Sequence, residues 1–180
     1  MEQLNENDIT RLLLDSATRR DAFGKLVAQY SEMLYWKIRH FVLYHDDADD
    51  VMQNVLMKAW MNIDRFKADS KISTWLYSIA VNESLDFLRR KKNVADADAD
   101  LYAARHLMAD EYFDGDATEA LLQEAIAQLP DMQRTVFLLR YYDEMKYSEM
   151  SKMLERTEGA LKANYHIAAQ KVLDYIKQRD

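Results

Sequence analysis

The 180-residue chain has no cysteine, one proline and three glycines. Without cysteine there is no disulfide framework, no thiolate zinc site and no cysteine nucleophile. Sheet proteins turn on glycine and proline, so the shortage of both predicts an all-α chain. Gly24, Gly115 and Gly159 lie far apart, which excludes a glycine-rich phosphate loop. No apolar run approaches the roughly 18 residues of a membrane span. The opening Met1-Glu2-Gln3-Leu4-Asn5-Glu6 is too acidic and polar for a secretory signal. These absences predict a soluble cytoplasmic protein with no membrane insertion and no cofactor.

What is abundant is acid, in one place. The net charge is -7. Residues 1–92 hold 14 acidic and 14 basic side chains, residues 121–180 hold nine of each, and residues 93–120 hold eight acids against the single cation Arg105. Like charges spaced as in Ala95-Asp96-Ala97-Asp98-Ala99-Asp100 repel, and alanine offers little apolar area to oppose them. The expected organisation is therefore two small helical domains, 1–92 and 121–180, joined by a mobile acidic linker over 93–120.

In the first block the apolar spacing predicts helices at about 8–18, 21–45, 48–64 and 72–91. Phe23, Leu26, Val27, Tyr30, Leu34, Ile38 and Phe41 form one stripe, and Met52, Val55, Leu56, Ala59, Trp60 and Ile63 another. Asp46, Asp47, Asp49 and Asp50 crowd the start of the third helix, where carboxylates cap amides and suit the helix dipole. Its outward side collects Asp50, Gln53, Asn54, Met57, Met61 and Asp64. Two methionines among polar groups are either a surface that docks on another protein or two ordinary exposed residues.

The fourth helix is apolar on two sides, through Ile72, Trp75, Leu76, Ile79 and Ala80 and through Tyr77, Val81, Leu85 and Leu88, so it is central in its bundle or meets a partner. It ends in Arg89-Arg90-Lys91-Lys92. Four cations exceed what a helix dipole needs and suggest phosphate contact. The loop before it, Arg65-Phe66-Lys67-Ala68-Asp69-Ser70-Lys71, pairs cations with an aromatic ring, as single-stranded bases require. The alternative is that Phe66 and Trp75 anchor the core.

In the second block Leu129-Pro130 opens a helix, with proline at its first position. Met150, Met153 and Leu154 mark a helix from near Tyr147-Ser148. After Arg156-Thr157-Glu158-Gly159 another helix turns Leu161, Tyr165, Ala168, Val172, Tyr175 and Ile176 inward, with Thr157 as its cap. This is a helix-turn-helix pattern. The outward face of the last helix presents Gly159, Lys162, Ala163, His166 and Gln170, while Asn164 tilts toward the bundle. Small groups at Gly159 and Ala163 permit close approach to a groove, and Lys162 and His166 can reach phosphates or base edges.

Two of these segments share one resemblance. Asp47-Ala48-Asp49-Asp50-Val51-Met52-Gln53-Asn54-Val55-Leu56-Met57-Lys58-Ala59-Trp60, followed by Thr74-Trp75-Leu76-Tyr77-Ser78-Ile79-Ala80-Val81-Asn82, resembles region two of the extracytoplasmic-function sigma factors of bacterial RNA polymerase. Leu129-Pro130, Phe137-Leu138-Leu139-Arg140-Tyr141-Tyr142, Tyr147-Ser148-Glu149-Met150 and Glu158-Gly159-Ala160-Leu161-Lys162 resemble their region four.

The resemblance implies a factor that binds core RNA polymerase through Asp49, Asp50, Gln53, Asn54 and Met57. It implies capture of a flipped non-template base of the minus-ten promoter element by Asn82, beside a loop of Phe66, Lys67, Ser70 and Lys71, with Arg89 and Arg90 nearby. Arg156, Thr157, Glu158, Lys162 and His166 would contact the minus-thirty-five element. The linker would run toward the RNA path of the polymerase, where its acids imitate a transcript. An anti-sigma factor is a further implied partner. The chain departs from the family in Glu155, where glycine is common, in Asn164, and in Ile167 and Ala169, where basic groups are common.

An enzyme is disfavoured: His40, His45, His106 and His166 form no metal-ligand spacing, and no acid/base arrangement is recognisable. The rival readings are a helix-turn-helix regulator that binds duplex DNA alone and a helical adaptor that binds only protein.

Overall fold

The computed structural model describes residues 5–92, 104–105 and 115–179, and these are helical with no strand among them. They divide into two compact units, Met1–Lys91 and Lys92–Asp180. No helix among the described residues is long and apolar enough to cross a membrane.

The first unit contains α1 (Glu6–Leu14), α2 (Arg19–Phe41), α3 (His45–Asn62), a 3-10 turn (Ile63–Arg65) and α4 (Ile72–Lys92). Asn5 starts α1 by accepting from the Asp8 amide at 2.9 Å. The end of α1 is closed from outside: Thr18 donates to the Leu12 carbonyl at 2.7 Å and Arg19 Nε to Leu13 at 3.0 Å. The expected second helix ran on to 45, but α2 stops at Phe41. Val42 and Leu43 leave the helix and bury at 2% and 5% exposure, while Arg39 donates to the Leu43 carbonyl.

Ile9, Leu13, Leu26, Leu34, Ile38, Val55, Ile63, Ile72 and Leu76 fill the core. Burial in α4 runs on two sides, with Leu76 and Ala80 on one and Tyr77 and Val81 on the other. Three long-range contacts fix α4. Lys58 of α3 pairs with the buried Glu83 carboxylate. Lys37 of α2 lies 4.5 Å from the centre of the Tyr77 ring. Lys91 pairs with Asp47 at 2.6 Å.

The second unit contains α5 (Ala117–Ala127), α6 (Asp131–Tyr141), α7 (Tyr147–Leu154) and α8 (Glu158–Lys177). Its core is Ile126, Val136, Phe137, Leu138, Leu139, Met150, Leu161, Ala168 and Val172. Pro130 is the residue before α6 rather than its first helical position; its ψ of 148° is extended. Asp116 caps α5 by accepting from the Glu119 amide at 2.9 Å, so α5 starts inside the stretch expected to be linker, and Ala104 in the same stretch is 2% exposed. Residues 93–103 and 106–114 of that stretch lie outside the described residues.

A polar cluster holds α5 to the end of α6. The Tyr142 hydroxyl donates to Glu119 at 2.7 Å, and Gln123 Nε2 reaches Tyr142 at 2.8 Å. Burial, then the hydrogen bond to Glu119 and its charge, push the Tyr142 phenol far above its ordinary 10.0. Burial and Glu124 likewise raise Tyr175. A raised folded-state value means stability that is full below the unfolded value and lost as pH rises beyond it. The second unit is therefore expected to weaken above pH 10.0, where unfolded phenols ionise. Chemical denaturation as a function of pH, read on this unit, checks it; a midpoint constant across that range would contradict it.

Between α7 and α8 the chain turns through Glu155 at φ 53°, ψ 45°. An L-residue there sets its Cβ against the following carbonyl, which costs about 1 kcal/mol. The Ser151 hydroxyl closes the turn by donating to the Arg156 carbonyl at 2.6 Å. Glu155 is exposed. Glu155→Gly is thus expected to stabilise this unit by about 1 kcal/mol. A denaturation midpoint that stays or falls would show that the turn carries no such strain.

Candidate nucleic-acid interface

On α3, Asp49, Asp50, Gln53 and Met57 are exposed and Asn54 is half-buried. Met57 and Met61 are 56% and 70% exposed, so this face is open among the described residues. The acidic run at its start does not cap the helix. Tyr44 precedes the first turn without a side-chain cap, Asp47 is bound to Lys91, and Asp49 faces His45 at 3.5 Å. Only the favourable position near the helix N-terminus remains of that expectation. Trp60, expected inward, is 43% exposed, with its ring edge-on to Phe23 at 5.1 Å.

The loop before α4 is exposed at Lys67, Ser70 and Lys71. Phe66 corrects its expected role. It is 5% exposed and packs on Trp75 with ring centres 5.2 Å apart, so it serves as an anchor and presents no open face for a base. Asn82 is exposed between two buried neighbours, Val81 and Glu83. Its carboxamide carries both a donor and an acceptor.

The cationic end of α4 is not uniform. Arg89 pairs with Asp86 one turn back at 3.0 Å, and Arg90 is exposed. Lys91 is held by Asp47 and lies 4.4 Å from the centre of the Tyr44 ring. A contact across 44 positions has no local signature, so the sequence counted Lys91 with its neighbours.

In the second unit Arg156, Thr157, Glu158, Lys162 and His166 are all exposed. Thr157 accepts from the Ala160 amide at 3.3 Å, which caps α8 and leaves its hydroxyl hydrogen to donate outward. Lys162 lies 3.7 Å from Glu158 and 5.6 Å from the Tyr147 ring centre. Arg140, 5.4 Å from the centre of the same ring, donates to the Glu144 and Met145 carbonyls at 3.0 and 3.1 Å. Arg140 thus ties down the loop leading into α7, a role that the sequence did not reveal.

Asn164 is half-buried and donates to the Ala160 carbonyl at 2.8 Å, in keeping with its tilt toward the bundle. Gly159 is exposed, lacks positive φ, and a Cβ there would meet nothing within 4 Å. Neither backbone nor packing inside the chain demands glycine at that position.

Residues 26–94 match the family described as Sigma-70 region 2, and residues 119–172 match Sigma-70, region 4. The chain is 33% identical over 158 residues to the ECF RNA polymerase sigma factor SigW of Bacillus subtilis, covering 82% of this chain and 84% of that one. It is 28% identical over 173 residues to the RNA polymerase sigma-H factor of Pseudomonas aeruginosa, covering 89% and 90%.

Among solved structures, CnrH in complex with the cytosolic domain of CnrY aligns with a TM-score of 0.68 at 23% identity, covering 97% of this chain and 99% of that one. The sigma factor RpoE of Bartonella quintana, solved with the anti-sigma factor NepR, gives 0.64 at 20%, covering 86% and 96%. At these identities the two structures support the all-α fold.

Proposed function

The chain belongs to the extracytoplasmic-function sigma factors of bacterial RNA polymerase, and from that membership we propose how its two units divide promoter-specific transcription initiation. The first unit docks on core polymerase through the α3 face of Asp49, Asp50, Gln53, Asn54 and Met57. It opens the minus-ten element by holding a flipped non-template base on Asn82, with Lys67, Ser70 and Lys71 lining the approach and Arg89 and Arg90 on phosphates. Melting exposes a base, and its capture offsets a few kcal/mol of lost stacking. The second unit lays α8 against the minus-thirty-five element through Arg156, Thr157, Glu158, Lys162 and His166. An unneeded glycine at 159, open to solvent, lets that helix approach a groove closely. The linker acids run along the cationic RNA path. An anti-sigma factor, the kind of chain solved with RpoE of Bartonella quintana, is a further partner.

The observation that carries this reading is the match to region two and region four, in that order along one chain. A regulator acting alone on duplex DNA is disfavoured, because each block is nearly neutral and binding of that kind rests on excess cations.

The test is transcription in vitro with core polymerase and a pool of promoter sequences. The chain is expected to co-elute with core enzyme and to select templates that share an upstream and a minus-ten element. Output unchanged by adding the chain, or a chain that shifts duplex DNA without polymerase, would overturn the assignment.

A further inference from the structure

We propose that Ile167 selects a thymine in the minus-thirty-five element through the C5-methyl group of that base; the inference rests on the promoter-reading function of α8 given above. Ile167 is 44% exposed in the middle of α8. At about 100° per residue it shares the outward side with Gly159, Ala163 and His166, all exposed, and points away from the buried Leu161, Ala168 and Val172. A single exposed isoleucine is common on protein surfaces. What distinguishes this one is the set of side chains around it.

The polar groups nearest to Ile167 along the helix are turned onto the chain itself. Asn164, one turn before, donates to the Ala160 carbonyl at 2.8 Å. Gln170, one turn after, donates to Asp174 at 2.8 Å, and Lys171 donates to Gln133 of α6 at 3.0 Å. Ala163, the remaining neighbour one turn before, carries only a methyl group. At this point α8 therefore offers hydrocarbon, with Lys162 and His166 exposed on its flank. Gly159 and Ile167 lie about 12 Å apart along the helix, comparable with the width of a major groove, so one docking can turn both toward base edges.

The chemistry of the groove then chooses the base. An isoleucine side chain neither donates nor accepts a hydrogen bond. In the major groove the base edges present donors and acceptors, apart from the thymine C5-methyl group. Against that methyl, Ile167 takes apolar surface out of water on both partners. Against guanine N7 and O6 or the cytosine amino group, it would displace water and return no hydrogen bond. Ile167 thus favours an A·T pair and disfavours a G·C pair at the position it faces. One buried methyl group corresponds to about fourfold in binding.

The test uses the full chain with core polymerase on duplex promoters drawn from the selected pool. Each thymine of the upstream element, on either strand, is replaced singly by deoxyuridine, which lacks only the methyl group. The parent is expected to bind about fourfold less well when one particular thymine is replaced. Ile167→Ala should be indifferent to the methyl group at that position, and Ile167→Val, which keeps the branch, should retain part of the dependence. Selection with Ile167→Ala should also relax the requirement for an A·T pair there. Alanine is the better helix former and the position is exposed, so the variant keeps its fold.

An equal loss in parent and Ile167→Ala at every thymine would overturn the inference. So would a parent that ignores the methyl group throughout, or a selected upstream element without an A·T pair. In those cases the promoter reading stands. A parent that selects no upstream element would overturn the promoter reading and this inference with it.

Discussion

A chain carrying Asn82→Ala is expected to bind core polymerase as tightly as the parent and to open promoters roughly thirtyfold less well, the equivalent of about 2 kcal/mol for one lost base-edge contact. Asn82 is exposed on α4 while Val81 and Glu83 on either side are buried, so the substitution removes a solvent-facing carboxamide and leaves the packing intact. Alanine is also the better helix former. Stability should therefore hold or rise slightly, and a drop in opening cannot be assigned to unfolding. Reactivity of unpaired thymines in the minus-ten element, beside co-elution with core enzyme, reads the two effects separately. Equal opening by parent and variant would remove Asn82 from the proposed pocket.

Lys58→Met is expected to destabilise the first unit by about 2 kcal/mol. It leaves the Glu83 carboxylate, 6% exposed, without the ammonium that neutralises it. The cost falls short of a fully buried broken pair because Lys58 is itself 49% exposed, and water can take part of its place. Adding Glu83→Leu should restore most of the loss, since an apolar pair avoids the desolvation of both charges. Denaturant midpoints of the two single variants and the double variant check this. Additive losses in the double variant would show that the two side chains are not coupled.

Helix positions and the apolar stripes were legible because both follow from a 3.6-residue repeat that any stretch of sequence displays locally. The stripe through Leu26, Tyr30, Leu34 and Ile38, and the cap at Thr157, are of this kind. Periodicity fixes the direction in which a side chain leaves its helix but not how far the neighbouring helix extends. Trp60 therefore reads as core and yet stands at the margin, half in water. Phe66 reads as a base platform because the loop around it is cationic, but Trp75 covers its ring. Pairs such as Lys58–Glu83 and Arg105–Glu124 join segments with no common repeat, and nothing near either residue announces the other.

The contact between Lys91 and Asp47 bears on ionic strength. Each lysine or arginine that displaces a counterion from a phosphate adds about 0.9 to the steepness with which affinity falls against the logarithm of salt. A lysine already neutralised by a carboxylate and seated over the Tyr44 ring has no counterion to displace. With that carboxylate removed by Asp47→Asn, the proposed phosphate contact of this helix end would gain positive charge, and promoter binding would be tighter in dilute buffer and more fragile in concentrated salt. Under the proposed phosphate contact, the native pairing would give up peak grip for constancy when the salt concentration changes.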